Sequence, residues 1–213
     1  MTTRRPTTTS PAATHARLAS VRSRARRCRA CPLWATATQT VFGAGPVPAT
    51  MLLVGEQPGD REDVEGAPFV GPAGRLLDRA LAEARIDREQ VYLTNVVKHF
   101  KWRPASSGGK RRIHDKPNRA EIQACLPWFR AELEAVRPQV LVLLGATAAQ
   151  ALLGTQFRIS RERGRPLDSD LARTVIATAH PSAVLRAESR REAAYAALVD
   201  DLRVAHAAVS DRG

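Results

Sequence analysis

Short apolar runs without helical period alternate along this chain with longer segments whose apolar residues recur every three or four positions. Residues 50–54, 91–97, 139–144 and 174–179 read as strands buried on both faces. After the Gly71-Pro72-Ala73-Gly74 turn, Leu76, Leu77, Ala80, Leu81 and Ala84 fall on one helical face. Asn118 with Glu121 three positions on predicts an N-terminal cap, and Ile122, Cys125, Leu126, Phe129, Leu133 and Val136 continue it as a stripe that stops at Pro138. Residues 146–153 form a shorter helix, and 189–209 a long one with Ala194, Ala197, Leu198, Leu202 and Ala205 inward. Strands alternating with helices imply parallel pairing through right-handed crossovers, hence an α/β fold: a three-layer α/β/α sandwich on a four-stranded parallel sheet.

The stretch 51–74 organises the rest. Its strand is stopped by Gly55, Pro58 and Gly59 before the next helix begins, so Glu56, Gln57 and Phe69 fall in the crevice beyond the strand ends, where open α/β sheets bind ligands.

Length and charge narrow the class. A chain of 213 residues with 44% apolar content supports one core. Residues 1–14, rich in Thr, Pro and Arg, read as a flexible basic arm, and 15–213 as one domain that begins with a helix candidate at 15–28. The net charge of +12 points to a polyanionic partner, nucleic acid first. Its cations cluster in 1–31, which holds no acid, and in 98–119. No apolar run is long enough to span a membrane, and no leader with an apolar core precedes the domain, so no membrane role and a cytoplasmic location are expected. Nothing in the patterning calls for more than a monomer.

Three cysteines are too few for a disulfide framework. Cys28 and Cys31 have chelate spacing, Cys125 is the other thiol, and His99 after the second strand is the candidate fourth ligand. Such a set suits either a [4Fe–4S] cluster or structural zinc.

Five motifs in order resemble family-four uracil-DNA glycosylases: Cys28-x-x-Cys31-Pro32, Gly55-Glu56-Gln57-Pro58-Gly59, the 66–74 segment GAPFVGPAG, the 92–98 segment YLTNVVK, and His180-Pro181-Ser182. The resemblance implies a glycosylase fold, uracil-containing DNA as partner, and a [4Fe–4S] cluster rather than zinc. His99 stands where ordinary members carry cysteine. An insertion at 105–117 is similar to the KRRIH loop of the UdgX branch, whose members bond covalently to DNA.

The resemblance implies the following roles. Phe69 stacks on the extruded base, Asn95 pairs with it, and Gly55 and Gln57 complete the pocket. His180 donates to uracil O2, Glu56 supports the cationic sugar or orients a water, and His114 attacks C1′ to leave a covalent adduct. Lys110, Arg111, Arg112, Lys116, Ser182 and Arg186 contact DNA, with Gly108 and Gly109 as a loop hinge. The rival expectations are a conventional glycosylase that turns over and a non-catalytic nucleic-acid binding module.

Overall fold

The computed structural model describes residues 11–105 and 112–210. Helix α1 (Pro11–Ala25) leads through a short 3-10 turn to strand β1 (Met51–Gly55), then α2 (Asp60–Glu65), α3 (Pro72–Glu83) and β2 (Val91–Asn95). Two short strands follow, β3 (Trp102–Pro104) and β4 (Arg112–His114), then α4 (Arg119–Val136), β5 (Val140–Leu144), α5 (Ala146–Leu153) and α6 (Ile159–Glu162). The chain ends through β6 (Pro166–Leu167), β7 (Thr174–Thr178), α7 (Pro181–Leu185) and α8 (Arg191–Ser210).

The sheet has the order β2-β1-β5-β7-β6. Its first four strands are parallel, as expected, and β6 adds a two-residue antiparallel edge that no periodicity window could detect. Alternation along the strands sends Leu52, Val54, Leu141 and Leu143 into the core under α1, α4 and α5. Met51, Leu53, Val140 and Val142 enter the opposite core under α3, α7 and α8. Leu53 is fully buried, so truncation to alanine would cost about 2–5 kcal/mol.

Three differences from the sequence reading have local causes. Helix α1 starts at Pro11, inside the segment read as arm, and its Arg17 pairs with Glu134 of α4 at 2.9 Å. Strand β2 stops at Asn95 because Val96 and Val97 donate to the carbonyls of Gly55 and Glu56, drawing the chain over the end of β1. On either side of residues 106–111, which lie outside the described residues, β3 and β4 pair antiparallel as the two arms of a hairpin, with Trp102 opposite His114. Lys110, Arg111 and the Gly108-Gly109 hinge lie outside the described residues.

Candidate active site

The carboxyl ends of β1, β2, β5 and β7 deliver Gly55, Asn95, Gly145 and the N-terminal cap of α7, His180, to one crevice. The order of the sheet reverses at β1, the position where such folds bind ligands. Gly55 marks the centre. A Cβ there would overlap Asn95 Oδ1 and come within 2.9 Å of Phe69 Cζ and 3.4 Å of His180 Nε2. Phe69 is 6% exposed, and its ring centroid lies 6.2 Å from that of His180. Its backbone is left-handed at φ 58, a conformation that costs a non-glycine residue about 1–2 kcal/mol. A side chain at Gly74 would overlap the Phe69 carbonyl, so the glycine at the start of α3 makes room for this bend.

Asn95 is 3% exposed, and its side-chain oxygen has no hydrogen-bond partner among the described residues. An orphaned buried acceptor costs about 1–3 kcal/mol, and a ligand N–H in the crevice would satisfy it. The Asn95 backbone is fixed from behind: Lys98 Nζ donates to its carbonyl at 2.6 Å and to Thr94 Oγ1 at 2.7 Å. Lys98 also pairs with Glu132 of α4, and both side chains are almost wholly buried. Glu132 further accepts from Gly43 N–H at 2.7 Å, Tyr92 Oη at 3.1 Å and Thr94 Oγ1 at 2.8 Å. Burial and the Glu132 charge push the Tyr92 phenol far up, so it stays a donor.

The rim holds three titratable groups. His114 Nε2 lies 3.3 Å from Glu56 Oε1, with the imidazole half exposed and packed near Phe100 at 6.2 Å between ring centroids. Burial works to raise the Glu56 carboxyl, but hydrogen bonds from His114 and Thr147 and the charges of His114 and His180 outweigh it, leaving Glu56 below the usual carboxylate range. Burial pushes His180 down to about 4, against the attraction of Glu56 and with the help of His114 and Arg186. The Ser182 backbone N–H donates to His180 Nδ1 at 3.1 Å, and the Ser182 hydroxyl lies 2.8 Å from the same nitrogen. With Nδ1 accepting, the proton of the neutral ring sits on Nε2, the nitrogen facing Gly55. The crevice therefore combines an ionised carboxylate, a neutral N–H donor, an aromatic face and an unpaired acceptor. That set can grip a flat heterocycle and stabilise opposite charges on its two sides.

Other expected site residues have different surroundings. The Gln57 side chain faces the hairpin: its amide donates to the carbonyls of Lys101 at 3.1 Å and Asp115 at 3.0 Å and accepts from Lys101 N–H at 3.0 Å. Arg112 is engaged with Asp60 at 2.5 Å and buried Asp63 at 2.6 Å, and its guanidinium lies over Phe100 and Trp102. It ties β4 to α2 beside Glu56. Ser182 serves the His180 ring, while Lys116 and Arg186 are exposed, Arg186 within electrostatic range of His180. Sequence reasoning missed Thr147, Lys98 and Glu132. Glu132 carried a signal, since it lies three residues after Phe129 on the apolar stripe of α4.

The cysteines gather behind the crevice. Cys28 Sγ accepts from Trp128 Nε1 and Cys125 Sγ from Lys98 N–H, both at 3.2 Å, and His99 Nε2 lies 3.0 Å from Thr40 Oγ1. Burial raises the Cys31 thiol and pushes Cys125 up to about 11, and the thiols lie within electrostatic range of one another. Cys28 and His99 line one cavity of about 440 Å³. Among the described residues no three His, Cys, Asp or Glu side chains stand close enough to share a single ion. Three thiols and one imidazole are donor types that either a [4Fe–4S] cluster or a zinc ion takes.

A family model for the uracil DNA glycosylase superfamily matches residues 42–203. The type-4 uracil-DNA glycosylase of Thermotoga maritima is 41% identical over 170 residues, covering 79% of this chain and 83% of its own. That of Archaeoglobus fulgidus is 40% identical over 172 residues, covering 78% and 81%. The crystal structure of Pedobacter heparinus SMUG2 shares the fold at a TM-score of 0.56 and 14% identity, over 76% of each chain. With 162 residues inside the family model and relatives this close, the chain belongs to the uracil-DNA glycosylase superfamily and is a uracil-DNA glycosylase of the family-4 type.

Proposed function

We propose that this uracil-DNA glycosylase ends its reaction bonded to its product, through His114 and the C1′ of the sugar that carried uracil. The observation that carries the reading is the His114–Glu56 pair, 3.3 Å apart on the rim of the Gly55, Phe69, Asn95 and His180 crevice.

Uracil flipped from the strand stacks on Phe69, and its N3–H meets the unpaired Asn95 Oδ1. The Asn95 amide N–H₂ donates to O4, a contact cytosine refuses because its amino group is itself a donor. As the C1′–N1 bond breaks, its electron pair moves onto the base, and His180 Nε2–H donates to O2 where that charge gathers. The Glu56 carboxylate stabilises the oxocarbenium sugar. The His114 imidazole then gives a lone pair to C1′, the C–N bond forms, and the ring proton passes to Glu56 or solvent while the uracil anion takes a proton from water. The products are free uracil and a histidyl–sugar adduct.

Cys28, Cys31, Cys125 and His99 would hold a [4Fe–4S] cluster. When bound it supplies a rigid cross-link between the end of α1, the segment after β2, and α4. Three unpaired thiols suit a reducing, cytoplasmic setting.

Incubation with uracil-containing single-stranded DNA followed by denaturing electrophoresis tests the reading. The wild type is expected to give a retarded protein–DNA band and at most one uracil per enzyme. His114→Ala is expected to lose the band while still releasing uracil slowly. Repeated turnover by the wild type without a band would make it a conventional family-4 hydrolase, with Glu56 orienting water. A band that persists in His114→Ala would assign the bond to another residue.

A further inference from the structure

The first acidic residue of the chain is Glu56, so everything before the end of β1 carries arginine without a carboxylate of its own. Arg26, Arg27 and Arg29 are exposed on the rim of the 440 Å³ cavity between the end of α1 and the segment 34–40. None of the three has an ion-pair partner among the described residues. The nearby acids are committed elsewhere: Asp63 is buried and bonded to Thr38 N–H and Arg112, and Asp60 also pairs with Arg112. The positive field of the rim is therefore unneutralised.

Trp34 stands in the same rim, 41% exposed, and the Arg29 guanidinium lies 4.4 Å from its ring centroid. A guanidinium stacked on an indole makes a flat platform of the kind on which unpaired bases lie. The rim also adjoins the hairpin that carries His114. Thr36 accepts from Trp102 Nε1 at 2.9 Å, and Thr38 Oγ1 lies 3.3 Å from Arg112 Nη1. The rim and the crevice thus share β3 and β4 as a common border.

We propose that the rim is a second contact site for single-stranded DNA. Arg26, Arg27 and Arg29 face its phosphates, and the Arg29–Trp34 stack receives one of its bases. A duplex keeps its bases stacked inward and offers this platform nothing. The inference rests on DNA being the substrate and not on the fate of His114.

Fluorescence anisotropy with single strands that carry one 2′-fluoro-2′-deoxyuridine, whose fluorine destabilises the oxocarbenium and so blocks cleavage, tests it, using a minimal strand, one extended only on the 5′ side and one extended only on the 3′ side. Excision of uracil from the same strands made with ordinary deoxyuridine is the internal reference. If the wild type excises uracil from none of them, the glycosylase reading fails rather than this one. In the wild type one of the two extensions is expected to tighten binding. The triple variant R26Q/R27Q/R29Q is expected to lose that gain and to flatten the dependence of log K on log salt by about 2, from three phosphates at roughly 0.7 each. The corresponding triple lysine variant should restore the salt dependence. Trp34→Ala should lose about tenfold in affinity for the extended strand alone. The proposal is overturned if the triple glutamine variant keeps both the length gain and the salt slope, or if a duplex extension tightens binding as much as a single-stranded one.

Discussion

Removing the carboxylate of Glu132 is a demanding test of how the base pocket is held. Glu132 accepts hydrogen bonds from Gly43, Tyr92 and Thr94 and pairs with Lys98, with no side-chain exposure on its part and 1% for Lys98. In Glu132→Ala the ammonium stays buried beside two neutral oxygens. Breaking such a pair costs about 3–5 kcal/mol. At roughly 2–4 °C per kcal/mol for a domain of this size, the melting temperature should fall by about 10 °C. Lys98→Met strands the opposite charge and should cost about as much. The double variant Lys98→Met/Glu132→Leu leaves neither charge, so it should regain at least half of the summed loss, the remainder being the Gly43 N–H and Tyr92 hydroxyl without an acceptor. Its Asn95 carbonyl still lacks the Lys98 donor, so uracil excision should fall even where stability returns. Thermal unfolding by circular dichroism and a uracil-release assay on the same preparations measure both effects. Single variants that melt within about 2 °C of the parent, or a double variant less stable than both singles combined, would refute this account of the network.

Three further outcomes follow from the site. Burial holds the folded His180 at about 4 against an ordinary 6.5, so between those values the unfolded chain binds more protons and stability is lost as pH falls, by up to about 3 kcal/mol; urea unfolding across that range should show the slope, and His180→Asn, which keeps a helix-capping side chain, should flatten it. Gly55→Ala puts a methyl against Asn95, Phe69 and His180 and should cut uracil excision by about a hundredfold in a steady-state assay while the fold survives. Arg112→Gln leaves the buried Asp63 carboxylate with Thr38 N–H and no cation, which should cost about 3 kcal/mol in denaturant unfolding and lower the yield of the adduct proposed at His114 on denaturing gels.

The sheet and its helices were legible because burial leaves a period. Strand runs of five residues with both faces covered, and the apolar stripe on α3, need no long-range information to be seen. The box at the start of α4 was legible for the same reason: Asn118 and Glu121 satisfy each other's backbone donors over three residues. The hairpin was not. Strands of three residues carrying Trp, Arg and His fall below any periodicity window, and what holds them are side chains distant in sequence, Gln57 to Lys101 and Asp115 and Arg112 to Asp60. Arg112 shows the limit best. Its charge pointed to phosphate, whereas the acids that engage it lie across the fold, where sequence separation hides them.

Those anchors have a further result for the pair on the rim. Gln57, Asp60 and Asp63, which secure the hairpin, come directly after Glu56 along the chain. Carboxylate and imidazole thus ride on a shared chassis. A displacement of the segment beyond β1 would carry both groups in the same direction, because the contacts that hold the hairpin start from that segment. Sequence drift elsewhere in the scaffold can then accumulate without pulling the two apart.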